Sequence, residues 1–425
     1  MKVLIISHNP ISTFNNMGKT IGSLFSNFSR GELCQLYVHP SVPDLNVCNS
    51  YYRITDRDIL MSFIKCSVHG EVVRPNLEQH KSSDDSKSGK LYRKIKPHGA
   101  MSRLIRDALW KFAHWNNRYL KEWIEHEQPS CIFVAPGAQK FLYDIAFVIS
   151  KQKGIPIVSY ICDDYYFLQR RSNLIVNYAN FCIRRKIKKM MNISKHVVFI
   201  CDPMKRKYQS HFNIVSATTI MTGTVNAGLD TVQTRENVKS FVYMGNLYYG
   251  REKSLAQIGR VLDEINLENN MACSLDVYSG DITDAIKKEF ENIVSVRFCG
   301  FVSGEEYSRI KSEADVFIHV EGFDLNNFDM VKYSVSTKIA ETLASGKVLL
   351  AYGPAEVASM QHLTDNDYIF AVSDRERLKD AICVLVNDMQ VRTNAINQAL
   401  LIFSKYHLQD KNSEKLREVL LNSCN

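Results

Sequence analysis

An α/β fold made of two parallel-sheet domains is what this sequence predicts, and three observations carry the prediction. Short apolar runs of strand length alternate with helical spacings along the whole chain. Each run ends in small or polar residues, as strands of an open parallel sheet do where they meet a ligand. The length, 425 residues, suits two domains that each bury a core of their own.

In the first half the strand-like runs are Val3–Ser7, Cys34–Val38, Cys131–Val134, Ile157–Ile161 and Val197–Ile200. Their tails include His8-Asn9-Pro10, Pro136-Gly137 and Cys162-Asp163-Asp164. Residues 70–99, rich in Ser, Lys, Asp and Gly, read as an exposed loop. Met101, Leu104, Ile105, Leu109, Phe112, Trp115, Tyr119 and Trp123 then recur at helical spacing, with Arg103, Arg106, Lys111, Arg118 and Lys121 on the other faces. Such a helix has two readings, a cover for the sheet or an element lying on a membrane surface. The basic run Arg184–Lys189 has the same two.

Residues 222–238 lapse into Gly, Thr and Asn and mark a linker. Strand-like runs resume at Ser240–Met244, Ser274–Tyr278, Val294–Phe298, Val316–Val320, Val348–Tyr352 and Tyr368–Val372. The closing amphipathic stretch is expected to return to the first domain. The expected boundaries are therefore 1–225, 236–395 and a terminal helix in 396–425.

Composition is that of a soluble globular chain, 45% apolar and 23% charged. No apolar run approaches the roughly 18–20 residues of a membrane span. Eleven cysteines stand singly, without a C-x-x-C pair, which argues for a reduced cytoplasmic protein with neither metal site nor disulfide framework. The net charge of +8 is unevenly shared. Residues 1–235 hold 33 Lys and Arg against 17 Asp and Glu, whereas residues 236–425 hold 20 against 28. A basic half fits an anionic membrane surface or a phosphorylated acceptor. No zinc finger, RNP-type aromatic motif or basic zipper speaks for nucleic acid.

Several spacings carry chemistry. Asn16-Met17-Gly18-Lys19-Thr20 suggests a phosphate loop, but the Gly required five residues before Gly18 is Thr13, so the Walker pattern fails. What remains is a Gly-containing turn opening a helix near Thr20, either a plain helix start or a close approach for phosphate or sugar. Gly245-Asn246 ends the first strand of the second half, and Arg251 and Lys253 follow; two cations past a strand-end glycine suit a diphosphate. Further on, Glu321 leaves an apolar strand, Ser336-Thr337 reads as a helix start, and Lys338 and Glu341 share the face of a helix that stops at Gly346. An i,i+3 surface ion pair is the plainer reading of those last two. Asp163 and Asp164 are the best acids on the acceptor side, with a helix cap as the plainer alternative, and His8 has a similar claim.

Taken together, these motifs resemble the donor domain of a GT-B-fold glycosyltransferase of the family 4 type, over most of residues 240–375. The matching stretches are Val242–Asn246 with Arg251 and Lys253, Phe298–Val302, Ala314–Phe317, Glu321–Phe323, and Ser336–Lys338 with Glu341 and Gly346. The resemblance implies two Rossmann-like domains facing a cleft. It implies that Arg251 and Lys253 hold a donor diphosphate, that backbone near Ser336, Thr337 and Lys338 binds phosphate, that Glu341 takes the ribose hydroxyls, and that Glu321 contacts the transferred sugar. It further implies transfer from a UDP- or GDP-sugar, with retention, to a glycan, lipid-linked or polysaccharide-precursor acceptor, with no cofactor. Should the enzyme invert, Asp163 or Asp164 would be the base. The family spaces its two acids E-x7-E, yet Glu321 and Glu341 are twenty apart. Asp329 sits at the family distance, but Glu341 alone lies five residues before a Gly, so 324–335 reads as an inserted loop. Two rivals share the architecture: a nucleotide-sugar epimerase and a non-catalytic nucleotide-binding scaffold.

Overall fold

The computed structural model describes residues 1–12, 16–65, 70–75, 99–168, 173–225 and 235–424. The chain divides into two compact units, Met1–Gly223 with Gln409–Asn425, and Thr224–Leu408. No helix among the described residues is long and apolar enough to cross a membrane.

The first unit is built on eight strands: β1 (Val3–Ser7), β2 (Leu33–Tyr37), β3 (Ser50–Arg53), β4 (Glu71–Val73), β5 (Cys131–Ala135), β6 (Ile157–Ile161), β7 (His196–Phe199) and β8 (Ala217–Thr219). Their order is β4-β3-β2-β1-β5-β6-β7-β8, and only β4 runs antiparallel to its neighbour. The central strands β1, β2, β5 and β6 are buried at every position, which is why their sequences are continuous apolar runs and not alternating ones. The sheet order reverses at β1, so its carboxyl end and that of β5 flank the crevice of this unit.

The second unit carries β9 (Ser240–Met244), β10 (Ser274–Tyr278), β11 (Val296–Phe298), β12 (Val316–Val320), β13 (Val348–Tyr352) and β14 (Ala371–Val372), all parallel, in the order β11-β10-β9-β12-β13-β14. Here the order reverses between β9 and β12. One apolar core joins the sheet to helices Arg251–Asn269, Leu378–Asn387 and Met389–Tyr406. Buried Arg392 closes its lower edge by donating to four carbonyls, those of Leu385, Val386, Arg235 and Glu236.

The structure redraws several local expectations. The long helix from Met101 is two helices, Ala100–Phe112 and Arg118–Glu127, because Asn117 caps the second through its side chain on Leu120 N–H. Gly18 lies inside the first turns of helix Asn16–Leu24 and not in a loop opening at Thr20, since Thr20, Ile21 and Leu24 already form the buried stripe. The segment 324–335 is partly helical, over Leu325–Val331, where no Gly or Pro interrupts it. Thr13, the side chain of Asn16, and most of the 70–99 and 222–238 segments fall outside the described residues. The terminal stretch is two helices. Met389–Tyr406 belongs to the second unit, and Gln409–Cys424 packs on β5, β6 and helix Asn16–Leu24 of the first.

Candidate functional site

In the second unit the strand ends at the reversal point are brought together by backbone. The turn after β9 runs through Gly245 to Gly250, whose φ of 82° starts helix Arg251–Asn269. The turn after β12 crosses it so closely that a Cβ on Gly322 would stand 2.1 Å from the Tyr249 carbonyl oxygen and 2.8 Å from Gly250 Cα. Gly353, after β13, is equally confined, with Glu321 Cβ 2.9 Å from where its own Cβ would be. Glycine is needed at these crossings for space, and at Gly250 also for its positive φ.

That crossing buries Glu321, which is 1% exposed. The Arg251 guanidinium forks onto it, with Nη2 2.9 Å from Oε2 and 3.1 Å from Oε1, and Nε 3.1 Å from Oε2. Its remaining nitrogen, Nη1, donates to Asn246 Oδ1 at 2.6 Å. Ser254, one turn along the same helix, donates to the Glu321 carbonyl at 2.8 Å. Burial pushes the Glu321 carboxyl above its usual range against the pull of Arg251. His319, two residues back on β12, is driven down to about 3 by burial and by the same guanidinium, and is therefore neutral. Glu321, Arg251 and Asn246 thus form one bonded cluster, while Lys253 stands exposed on the adjoining helical turn.

Lys338 approaches from the other side. Its ammonium donates to the Met244 carbonyl at the end of β9, which puts a cation beside Gly245. Ser336 caps helix Thr337–Leu343 through its side chain, accepting from Lys338 N–H at 3.3 Å. Glu341 faces a different set of partners: Tyr307 donates to its Oε2 at 2.6 Å, and Lys311 lies 3.5 Å from the same oxygen. Tyr307 and Lys311 belong to helix Gly304–Glu313 and were not legible as site residues. The i,i+4 spacing of Tyr307 and Lys311 was the one signal that could have paired them.

In the first unit the acceptor-side residues are already engaged. His8, just past β1, is lowered to about 3 by burial and by Arg106. Its Nδ1 lies 2.8 Å from Asn9 Oδ1 and its Nε2 lies 3.4 Å from Arg106 Nη2. Both contacts are satisfied when the neutral ring carries its proton on Nδ1. Arg106 also donates to Asp56 Oδ1 at 2.9 Å and to Gln139 Oε1 at 2.8 Å, and Trp110 Nε1 donates to Asp56 at 2.7 Å. Asp164 accepts from Tyr166 N–H, Phe167 N–H and Tyr208 O–H, at 2.8–3.0 Å, so it organises its own loop. Asp163 is exposed, with Tyr165 O–H 3.4 Å away. No cluster of His, Cys, Asp or Glu among the described residues could hold a metal ion.

No protein-family profile and no curated protein matches the chain. Solved structures do. An α,α-trehalose-phosphate synthase (UDP-forming) from Burkholderia xenovorans, in complex with glucose-6-phosphate, aligns with a TM-score of 0.59 at 11% identity, over 98% of this chain and 99% of its own. The E. coli trehalose-6-phosphate structure bound with UDP-2-fluoro glucose aligns at 0.60 and 10%, over 99% of each chain. WaaG, a glycosyltransferase involved in lipopolysaccharide biosynthesis, aligns at 0.54 and 12%, over 97% and 98%. At these identities the likeness establishes the architecture: two Rossmann-like parallel-sheet units with the GT-B fold of glycosyltransferases.

Proposed function

We propose that the chain is a glycosyltransferase that takes a sugar from a nucleotide-diphosphate donor, with retention, and passes it to a hydroxyl of a glycan, lipid-linked or polysaccharide-precursor acceptor. The donor occupies the second unit at the ends of β9 and β12. The observation that carries this reading is the gathering of three cations, Arg251, Lys253 and Lys338, about the end of β9, where the crossing of Gly250 and Gly322 packs the turns after β9 and β12 against each other. Lys253 and Lys338 meet the diphosphate. Glu341, its Oε2 held by Tyr307, offers Oε1 to the ribose hydroxyls. Glu321, bonded to Arg251, fixes the turn that faces the sugar, and Gly245, Asn246, Ser336 and Thr337 line the approach.

In transfer the bond from the anomeric carbon to the diphosphate oxygen breaks and a bond to the acceptor oxygen forms on the same face. The hydroxyl proton leaves with the diphosphate. No covalent enzyme intermediate is needed, which suits a site where no nucleophile–His pair stands among the described residues. The acceptor is taken by the strand ends of the first unit, around His8, Asn16, Asp163 and Asp164, whose basic surroundings favour an anionic molecule or surface, while Gly18 is assigned to donor binding. Uracil is the favoured base, since similar structures hold UDP or UDP-2-fluoro glucose.

A thermal-shift panel of UDP-, GDP- and ADP-sugars tests the reading. The matching donor at 100 times its Kd adds about 2.7 kcal/mol of apparent stability. Glu341→Ala removes that gain. A flat response to every nucleotide rejects the donor site. Turnover of donor without acceptor favours the epimerase, and nucleotide binding with no transfer by any acceptor extract favours the scaffold.

A further inference from the structure

Two helices of the first unit, Ala100–Phe112 and Leu174–Ile193, pack against each other, and each leaves a stripe of large apolar side chains in solvent. On the first, Met101, Ile105 and Phe112 are exposed; on the second, Leu174, Tyr178 and Phe181 are. Positions 101, 105 and 112, and likewise 174, 178 and 181, each fall on one helical face. Leu174 is 86% exposed and Phe112 67%, which a sheet-covering role does not require. Scattered exposed apolar residues mean little, but two such stripes on helices that pack against each other are more than scatter.

The charge around the patch is one-signed. Leu174–Ile193 contains five Lys and Arg and no acid. Ala100–Phe112 has one acid, Asp107, and Lys140 holds it at 2.9 Å. Arg103, Lys111, Arg185, Lys188 and Lys189 are exposed. Lys111 Nζ stands 5.6 Å from the centre of the Phe112 ring, and the Arg185 guanidinium 5.9 Å from that of Phe181, so cations flank the apolar tips.

We infer that this two-helix surface docks on an anionic lipid bilayer. Large apolar side chains enter the headgroup boundary while flanking cations meet the lipid charge, and neither helix presents an unpaired acid to oppose them. A second copy of the chain would bring the same positive charge to the contact and be repelled. Nucleic acid would satisfy the cations but gives Leu174 and Met101 no apolar medium. The inference deepens the anionic-surface part of the proposed function and does not depend on the donor site.

Co-sedimentation of the full chain with vesicles tests it. Wild type pellets with mixed phosphatidylcholine–phosphatidylglycerol vesicles and stays in solution with phosphatidylcholine alone. Removing one surface cation weakens partitioning about fivefold, so Arg185→Ala with Lys188→Ala weakens it roughly 25-fold. Leu174→Ser with Phe181→Ser lowers pelleting even at low salt, and Lys287→Ala in the second unit leaves it unchanged. All these positions are exposed, and the variants melt as wild type does. Wild type that ignores anionic vesicles overturns the inference, as does pelleting that neither double variant reduces. A dimer that the serine variant dissociates, with no vesicle binding, assigns the patch to a second copy instead. Nucleotide thermal shifts on the same variants report separately on the donor site.

Discussion

At the end of β12 a single buried acid, Glu321, is met by one guanidinium and by a crossing of backbone at two glycines, whereas at the end of β1 one guanidinium, Arg106, gathers Asp56, Gln139 and His8 from three further segments. The first arrangement is dry: the Arg251 and Glu321 side chains are 13% and 1% exposed. The second is wetter, at 11% for Arg106 and 24% for Asp56. Both hold their strand ends in place by one arginine, but only the first does so with a charge that has no water to fall back on. The second unit therefore rests its site on a desolvated pair, and the first on a shared network whose members have alternatives.

The largest test of that contrast is Arg251→Ala. It strands the Glu321 carboxylate in a buried place, and breaking such a pair costs about 3–5 kcal/mol. Urea unfolding should show a midpoint shift of that size, and Arg251→Lys should recover only part of it because an ammonium cannot fork across both oxygens. Replacing both partners with apolar residues, Arg251→Met with Glu321→Leu, should cost far less than Arg251→Ala alone. Equal losses in the single and double variants would show that the glycine crossing, not the ion pair, holds the turn.

Arg106→Ala comes next. Asp56 keeps the Trp110 indole as donor and reaches water, so the expected cost is about 1–3 kcal/mol. The same change releases His8, whose lowered pKa owes part of its shift to Arg106. The His8 titration, followed by NMR, should move up from about 3 toward its ordinary value, though burial holds it short of that. A titration that does not move would assign the whole shift to burial.

The two sites also differ in how far they could be read in advance. In the second unit β9, β10, β12 and β13 have the expected bounds, and Glu321, Arg251, Lys338 and Ser336 come from short runs whose chemistry is local. In the first unit the short strands β3, β4 and β8, three or four residues long and at or next to the sheet edges, have no periodicity to announce them. The Arg106 network joins positions 8, 56, 106, 110 and 139, which no local spacing connects. Helical spacing sets Arg106 on a face other than the apolar one, yet it turns inward because Phe141 offers its ring face 4.8 Å away and Asp56 its charge. The bond from Tyr307 to Glu341 was hidden for the same reason, thirty-four residues of separation.

Tyr307→Phe probes the ribose end of the second unit, apart from the Arg251–Glu321 pair. It deletes one neutral-to-charged hydrogen bond at a half-buried carboxylate that keeps Lys311 nearby, a stability loss of about 1.5 kcal/mol, the low end for such a bond. If Glu341 binds ribose, the variant also weakens nucleotide binding about fivefold and weakens binding of the 2′,3′-dideoxy nucleotide much less. Calorimetry with both nucleotides separates a positioning role, which changes their ratio, from a purely structural one, which does not.

The smallest effect lies inside the first unit, where helix Gln409–Cys424 meets residues 27–32. Arg417 forks onto Glu32, at 2.6 Å and 3.1 Å, donates to the Asn27 carbonyl, and lies 4.1 Å over the Phe28 ring. The hydrogen bond from Arg417 is the chief reason the Glu32 carboxyl is held down at about 2, against 4.5 for the ordinary group. A carboxyl whose pKa is lowered on folding stabilises the fold when ionised in both states, so the gain is full above pH 4.5. It fades as the pH falls toward 2, where the folded form takes up its proton too. Both side chains keep a quarter or more of their surface in water, so the pair is worth at most about 1 kcal/mol. Arg417→Ala should therefore lower stability slightly at neutral pH and flatten the acid limb between pH 4.5 and 2, the gap from wild type closing toward the acid end. A gap that stays constant across that window would assign the effect to lost packing on Phe28 and not to charge.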